Sequence, residues 1–257
     1  MPSFYGADVA YIHDRGFSQF AEHCRAGLLQ LLAGNGIAQG RIIDLGCGGG
    51  ISTAALVAAG FQATGVDQSR AMLKLARQRT PGGRYLPGTL EHFPLPRCEA
   101  ITALGEVLNY DHAGRGGARL REFFARAHGA LAPGGLLIFD VREPFPRRDL
   151  LPERHWQGPG WACQVRQQLA SRGRKLSRHV TSFRQLGKLY RRQEELHVQQ
   201  LFTEQELVRW LRSAGFAIRT RRSYGGYRLR DHRLVVIARK PSRGQPPQVG
   251  AHRDPPC

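Results

Sequence analysis

The residues of this chain best suited to hold a ligand are two aspartates that frame a glycine-rich turn. Asp44 is followed by glycine at positions 46, 48, 49 and 50, and Asp67 ends the next apolar run. Glycine permits positive φ and a close approach of the backbone to a bound molecule, which a Cβ would obstruct. A carboxylate at the end of a second strand can accept the two hydroxyl protons of a ribose. The spacing therefore predicts a site for a nucleoside-containing cofactor.

The elements that position this turn are predicted to alternate between strand and helix. Residues 41–45 form a short apolar run, typical of a strand buried on both faces of a parallel sheet. Residues 52–59 predict a helix ended by Gly60, and residues 62–66 predict a second strand. The helix N-terminus then faces the turn, and the second strand brings Asp67 to the same edge of the sheet.

The glycine spacing decides which cofactor is expected. A dinucleotide-binding fingerprint, G-x-G-x-x-G, requires glycine at position 51, where this chain has Ile51. The segment Asp44-Leu45-Gly46-Cys47-Gly48-Gly49-Gly50 instead resembles the first motif of class I S-adenosylmethionine-dependent methyltransferases. Residues 131–140, with the pattern L-x-P-G-G-x-L-x-F-D, resemble a second signature of that family. The resemblance covers about residues 1 to 240.

The resemblance implies an α/β fold, a doubly wound and mostly parallel seven-stranded sheet with an antiparallel edge hairpin. Further strands are expected at residues 84–86, 99–104, 136–141, 217–222 and 234–239. Further helices are expected after Ser69 and over residues 117–131 and 203–213. Alternating segments within residues 142–201 predict a small antiparallel β lid inserted after the fifth strand.

One domain is expected to fill most of the chain. We predict a methyltransferase domain over residues 1–240, in which residues 1–40 supply N-terminal helices and residues 142–201 supply the lid over the substrate. Residues 241–257 are rich in proline and polar residues and lack periodicity, which is typical of a disordered tail.

The resemblance implies S-adenosyl-L-methionine as cofactor and S-adenosyl-L-homocysteine as its product. The residues expected to bind it follow the first four strands or lie on the N-terminal segment: Asp44, Gly46, Cys47, Gly48, Asp67, Gln68, Met72, Thr89, Leu90, Gly105 and Tyr11. Thr89 stands where the family often has an aspartate, so adenine is offered a hydroxyl there instead of a carboxylate.

Methyl transfer to a hydroxyl or a protonated amine requires a base that removes the proton of the acceptor. Four residues are candidate catalytic groups: Glu106, His13, His197 and Tyr190. Three others are expected to line the substrate side of the site: Tyr5, Asn109 and Tyr110. For all seven the alternative is a structural role in packing, capping or surface contacts.

Composition restricts the class of protein. The 257 residues, 41% of them hydrophobic, are enough for one enzyme-sized core. The apolar runs are shorter than the roughly 20 residues of a membrane span, and no signal peptide is recognisable, which predicts a cytoplasmic protein. The five cysteines are scattered without a C-x-x-C pair, so we expect neither a disulfide framework nor a metal site.

The net charge of +18 leaves two kinds of partner open. Positive charge near the site would steer an anionic small molecule, and a basic chain is also typical of nucleic-acid binding. However, the [DN]-P-P-[YFW] motif of amino-methylating nucleic-acid enzymes is replaced after the fourth strand by residues 105–107.

We therefore predict an S-adenosylmethionine-dependent methyltransferase that transfers a methyl group to an N or O atom of a small molecule, with an anionic acceptor among the candidates. The alternatives are an RNA methyltransferase and a non-catalytic regulatory protein that binds the same cofactor. Sequence alone leaves the acceptor and the oligomeric state open.

Overall fold

The computed structural model describes residues 4–111, 114–170 and 172–242. Two N-terminal helices, α1 (Ala7–Gly16) and α2 (Gln19–Gly34), precede the first strand. The alternating elements that follow are β1 (Arg41–Leu45), α3 (Ile51–Ala58), β2 (Gln62–Asp67), α4 (Arg70–Arg79), β3 (Arg84–Pro87), β4 (Cys98–Ala103), α5 (Gly117–Ala130) and β5 (Leu131–Arg142).

The second half of the chain contains an inserted sheet and the sheet edge. The insertion forms β6 (Glu153–Gly158), β7 (Trp161–Leu169), β8 (Lys175–Leu186) and β9 (Leu189–Gln200). The C-terminal elements are α6 (Glu204–Ser213), β10 (Ala217–Arg221), β11 (Ser223–Tyr224), β12 (Tyr227–Arg228) and β13 (Arg233–Arg239). Single turns of 3-10 helix lie at Val107–Asn109 and Arg147–Asp149.

The main sheet has seven strands in the order β10-β13-β5-β4-β1-β2-β3. Strands β1 to β5 pair in parallel, whereas β13 runs antiparallel to both β5 and β10. The predicted fold class is thus confirmed. The strand order reverses between β1 and β4, and in such sheets the crevice beyond the carboxyl ends at this point is where ligands bind.

Two apolar layers hold the helices against the faces of this sheet. Alternate residues of a strand point to opposite faces, so in β1 Ile43 joins the cluster that α5 covers and Ile42 joins the cluster that α2 covers. Buried Phe123 and Phe124 of α5 fill the first layer, and Leu28 and Leu32 of α2 fill the second. These two layers therefore hold the carboxyl ends of the strands in fixed positions.

Strand β5 begins earlier than its sequence pattern predicts. The expected start was residue 136, but Leu131 already pairs with Cys98, and the register shifts before Ala100 pairs with Leu136. Gly134, at φ +80°, lies within the extra residues of β5. A bulge of this kind tolerates Pro133 because the local ladder is interrupted there.

The insertion forms the predicted antiparallel lid, a separate four-stranded sheet in the order β6-β7-β8-β9. One face of β8 and β9 carries both apolar and charged residues that are largely buried: Arg178 lies opposite His197, and Val180 lies opposite Glu195.

The proposed division into domain, lid and tail stays a prediction, and residues 243–257 of the expected tail lie outside the described residues. In the described ranges, no helix combines the length and the apolar content that a membrane span requires.

Candidate functional site

The glycine-rich turn between β1 and α3 opens at the carboxyl edge of the sheet. Gly46, Gly48 and Gly50 all have positive φ, at +63°, +53° and +80°. A Cβ added at Gly50 would lie 2.8 Å from the Cβ of Ala76, so this glycine is required for close packing against α4. A Cβ at Gly48 would meet no atom within 4 Å, so this glycine faces open space.

Asp67 ends β2 directly beside this turn. Its Oδ2 accepts a hydrogen bond from the Gly48 amide at 2.9 Å, and its Oδ1 accepts one from the Ser69 amide at 2.8 Å. Burial raises the pKa of the carboxyl, while these amides favour the charged form. A carboxylate offers about four acceptor positions, so both oxygens keep capacity for ribose hydroxyls.

Asp44 connects the three elements that surround the turn. Its Oδ2 accepts a hydrogen bond from the Thr53 hydroxyl at 2.6 Å, and its Oδ1 accepts one from the Thr102 hydroxyl at 2.7 Å. Burial raises the pKa of this carboxyl to about 6. The hydroxyls of α3 and β4 are thereby held against β1, which shapes the wall of the cleft.

The predicted cofactor residues, with one exception, line a single cleft at this edge. The wall includes Asp44, Gly46, Cys47, Gly48, Asp67, Gln68, Met72, Thr89, Leu90 and Gly105. Gly105 has φ +89°, and a Cβ there would also meet no atom within 4 Å. Two glycines with positive φ, one after β1 and one after β4, therefore leave open space in the cleft, which fits a cofactor lying against the backbone.

Tyr11 is the exception, because α1 turns it away from the cleft. Its ring lies 4.4 Å from the guanidinium carbon of Arg15 and 3.9 Å from that of Arg184. His13 and Phe17, four residues apart on α1, line the cleft instead. The helical period thus assigns Tyr11 to contacts with the lid.

Asp140, near the end of β5, is a further residue of the site that was not among the predicted ones; it lies next to Gly105. Its Oδ1 accepts hydrogen bonds from the Gly105 amide at 2.8 Å and the Tyr224 hydroxyl at 3.2 Å, and its Oδ2 accepts one from the Glu106 amide at 3.0 Å. Burial raises the pKa of its carboxyl to about 6. Asp140 therefore positions the backbone amides of Gly105 and Glu106. In the sequence this role is indicated only by its place as the last residue of the pattern L-x-P-G-G-x-L-x-F-D.

Glu106, a predicted catalytic residue, is buried in a network of side chains and does not belong to the wall of the cleft. Its Oε2 lies 3.1 Å from Arg178 Nη2, and its Oε1 lies 2.6 Å from Arg233 Nη2. Gln199 donates a further hydrogen bond to Oε2 at 2.9 Å. The guanidinium groups outweigh the effect of burial and hold its pKa well below the usual range, so Glu106 is a weak base.

Asn109 and Tyr190 also lie outside the cleft wall. The Asn109 amide donates to the carbonyls of Arg142 and Gln200, and its Oδ1 accepts from the Arg142 amide, so its groups are used within the fold. Tyr190 is 58% exposed at the end of the β8–β9 hairpin. Asn109 therefore connects strands, and Tyr190 faces solvent.

An aromatic group closes the other end of the cleft. The hydroxyls of Tyr5 and Tyr110 lie 3.1 Å apart, and the Tyr5 ring makes an edge contact with His13, at 5.3 Å between centroids. These three residues line the cleft. His197 stands behind them, with its ring centroid 4.8 Å from that of Tyr5 and its Nε2 2.8 Å from Glu195 Oε2.

The segment before α1 is tied to the lid and to α4. Glu195 accepts hydrogen bonds from the amides of Tyr5 at 2.8 Å and Gly6 at 2.7 Å, so a lid carboxylate stabilises the N-terminus of α1. On the other side, the Ser69 hydroxyl donates to the Tyr5 carbonyl at 2.6 Å. Gly6 has no side chain for capping, and no sequence signal indicates so distant a partner.

Ion pairs also join α1 to the lid and to α4. Asp8 lies 2.6 Å from Arg191 and 3.2 Å from Arg184 of the lid, and Asp14 lies 2.7 Å from Arg79 of α4. Among the described residues, the lining of the cleft includes none from 142–201. The N-terminal segment covers the cleft, and the lid holds that segment in place; the role of residues 142–201 as a substrate lid stays a prediction.

Comparison with known proteins identifies the class of enzyme. Residues 43–139 match the family described as a methyltransferase domain. Residues 43–139 thus carry a methyltransferase domain, and the chain has the fold of S-adenosylmethionine-dependent methyltransferases. This methyltransferase is 28% identical over 193 residues to a putative methyltransferase of Geobacillus sp. (strain WCH70), covering 69% of this chain and 74% of that protein.

A second relative has a named substrate. The methyltransferase is 35% identical over 105 residues to a trans-aconitate 2-methyltransferase of Rhodopseudomonas palustris (strain BisA53). The match covers only 39% of this chain and 38% of that enzyme.

Solved structures share the fold over almost the whole chain. An S-adenosylmethionine-dependent methyltransferase from Clostridium acetobutylicum ATCC 824 has a TM-score of 0.77 at 19% identity, covering 91% of this chain and 98% of that one. An amino pentose methyltransferase from Micromonospora echinaspora, bound to S-adenosylmethionine, has a TM-score of 0.69 at 23% identity, covering 93% and 99%. The cofactor that this neighbour binds fits the open space at Gly48 and Gly105 beside Asp67.

Proposed function

We propose that the methyltransferase transfers a methyl group to an N or O atom of a small molecule. The observation that carries this proposal is the closure of the cleft by the segment from Tyr5 to Phe17, which is bonded to the lid and to α4. A chamber covered in this way suits a small acceptor better than a nucleic-acid strand, which requires an open, positively charged groove. The relative that acts on trans-aconitate and the neighbour that acts on an amino pentose also support a small acceptor.

The cofactor residues are proposed to act by position. When bound, S-adenosylmethionine supplies an electrophilic methyl group on its sulfonium. Asp67 would bind the ribose, and the backbone at Gly48 and Gly105 would lie against the cofactor. Tyr5 and Tyr110 would exclude water and hold the acceptor in line, at roughly 3 to 3.5 Å from the methyl carbon.

His13 is our candidate for the base among the four predicted catalytic residues. Burial lowers the pKa of its imidazole to about 4, so the ring is neutral at pH 7. Within the described part of the chain, its ring contacts are with Tyr5 and Phe17, and no side-chain hydrogen bond occupies its nitrogens. His197, by contrast, is already paired with Glu195. His13 would take the proton of the acceptor as the new bond to carbon forms.

The first experiment is calorimetric titration of the folded protein with S-adenosylmethionine, S-adenosylhomocysteine and, as a control, NAD. Binding of the first two alone is expected. Transfer of a labelled methyl group is then measured with small amines, hydroxy acids and polycarboxylic acids in one set and total RNA in another. Labelled small molecules would support the proposal, whereas labelled RNA alone would contradict it.

A further inference from the structure

Five arginines from β5, β6, β8 and the segment around β13 affect one another's charge, and two of them, Arg178 and Arg233, pair with the same carboxylate, that of Glu106. They are Arg142 at the end of β5, Arg154 of β6, Arg178 of β8, Arg230 before β13, and Arg233 of β13. We call them the arginine cluster. Burial, together with the charges of Arg178, Arg233 and Arg154, lowers the pKa of Arg142 to about 10. Burial and the charges of Arg230, Arg178 and Arg233 also lower the pKa of Arg154. Like charges therefore lie close to one another in a partly desolvated region.

The carboxylates that face the arginine cluster do not balance it. Glu106 is paired with Arg178 and Arg233 and also attracts Arg142. Asp140 interacts with Arg233, but its oxygens already accept hydrogen bonds from two amides and a tyrosine hydroxyl. Repulsion on this scale costs free energy unless an anion offsets it.

One donor of the cluster is left without a partner. The buried Nε of Arg142 has no hydrogen-bond acceptor among the residues that the structure describes. Leaving a buried charged donor unpaired is costly, whereas a bound oxyanion would satisfy it. The Arg142 guanidinium carbon lies 4.6 Å from the Phe145 ring centroid, and that of Arg154 lies 4.8 Å from the Trp156 ring centroid. These aromatic contacts restrict the guanidinium planes without using their hydrogen-bond donors.

The cluster borders the aromatic end of the cleft. The guanidinium carbon of Arg233 lies 5.3 Å from the ring centroid of Phe20, which lines the cleft. The charge of Arg178 acts on the hydroxyls of Tyr5 and Tyr110, which belong to the aromatic group that lines the cleft. An anionic group of a molecule bound against these aromatic residues would lie next to the cluster.

We propose that the arginine cluster binds a carboxylate or phosphate group of the methyl acceptor and selects acidic acceptors. The inference rests on the proposed small-molecule activity. Arg142 and Arg154 supply the free donors, because Glu106 occupies Arg178 and Arg233. A planar guanidinium binds both oxygens of a carboxylate or phosphate, which a lysine at the same place would not do.

The test compares three variants that lose the same charge. Arg142→Gln and Arg154→Gln alter the cluster, whereas the control Arg192→Gln alters a 58% exposed side chain of the lid that pairs with Glu194. Tricarballylate and, separately, inorganic phosphate are titrated by calorimetry into the protein saturated with S-adenosylhomocysteine. We expect at least one anion to bind the native chain, and each cluster variant to weaken that binding about tenfold or more, with the control unchanged.

The two probes distinguish a carboxylate site from a phosphate site. Equal weakening in all three variants would mean that net charge alone attracts the anion, which would overturn the proposal. Failure of both anions to bind the native chain would overturn it as well. Arg142→Lys keeps the charge without the planar fork and is expected to weaken binding to a smaller extent. S-adenosylhomocysteine binding is measured first, so failure of the cofactor step is seen separately from failure of the anion site.

Discussion

The cofactor side and the acceptor side of the cleft are built in different ways. The cofactor side depends on contacts between segments close in sequence, such as the bond from Gly48 to Asp67, 19 residues apart. The acceptor side depends on contacts such as Tyr5 with Glu195, 190 residues apart, and Arg178 with Glu106, 72 residues apart. On the cofactor side, the strand ends present backbone groups to the cleft. On the acceptor side, the N-terminal segment is joined to the lid by individual hydrogen bonds, ion pairs and a small apolar cluster.

Because of this difference, cofactor affinity and access to the cleft should depend on different contacts. The strand ends are fixed by the buried layers on both faces of the sheet, so the cofactor contacts should be preorganised. The segment that covers the cleft is held by hydrogen bonds, ion pairs and a small apolar cluster in which Val9 and Ile12 pack against the lid. These contacts lie outside the two layers of the main sheet, so they can open without loss of the core. We therefore expect changes on the cofactor side to alter affinity, and changes on the acceptor side to alter rates and closure.

The largest effect is expected for Asp67→Ala on the cofactor side. Loss of two charge-assisted ribose bonds, at roughly 1.5 to 3 kcal/mol each, should weaken S-adenosylhomocysteine binding at least about a hundredfold. Calorimetry measures this change, and Asp67→Asn, which keeps one acceptor oxygen, should lose less. Unchanged affinity in the alanine variant would remove Asp67 from the site.

Glu106→Ala tests the connection between the two sides. Removing this carboxylate leaves Arg178 and Arg233 without it, which should lower the free energy of unfolding by roughly 3 to 5 kcal/mol in urea denaturation. The control Glu122→Ala breaks an exposed pair with Arg115 and should cost less than about 1 kcal/mol. Equal effects of the two variants would contradict a structural role for Glu106.

The Glu106 effect should also depend on pH. The arginines hold the folded pKa of Glu106 well below its ordinary value of 4.5. Its stabilisation is therefore fully present above pH 4.5 and is lost as the pH falls below that value towards the folded pKa. The difference in stability between the native chain and Glu106→Ala should shrink in that range; a constant difference would argue against the ion pairs.

On the acceptor side, His13→Gln should lower kcat by roughly a hundredfold. This value is the lower limit of the usual range for general-base catalysis, because a base with a pKa of about 4 is weak. With the proposed acceptor, kcat of the native enzyme should fall only as the pH approaches 4. His197→Gln is the matched comparison and should have a smaller effect on kcat. Full activity of His13→Gln would exclude His13 as the base.

His13 should also make stability depend on pH. Its folded pKa lies below the ordinary value of 6.5, so the neutral ring stabilises the fold above pH 6.5, and this contribution is lost as the pH falls towards 4. Urea denaturation between these values should be less dependent on pH in His13→Gln.

The smallest effect is expected for Asp8→Asn, which weakens the ties of α1 to Arg184 and Arg191. Because Arg191 is partly exposed, the loss of stability should be about 1 kcal/mol. Easier opening should raise the dissociation rate of S-adenosylhomocysteine several-fold in stopped-flow measurements. Glu194→Gln changes an exposed lid pair and serves as the control; the same rate in all three proteins would argue against α1 as the cover.

The cofactor half could be predicted from sequence because its signals are local. Asp44, the glycine turn and Asp67 each follow a strand whose apolar pattern is readable, and parallel strands bring their carboxyl ends together. The side-chain type of Tyr11 suits a cleft, but the direction of a helical side chain depends on how α1 packs, which the sequence does not show. The sequence likewise does not show that Glu106 is paired with arginines, because Arg178 and Arg233 lie on distant strands.

The sheet, the glycine turn and the inserted antiparallel strands can be read from the amino-acid sequence, because they depend on periodicity and on residues a short distance apart. The contact of Glu195 with the start of α1, the ion pairs of Glu106 and the arginine cluster become visible only in the folded chain. These features join side chains from separate elements, and the packing of the lid against the main sheet sets which side chains meet.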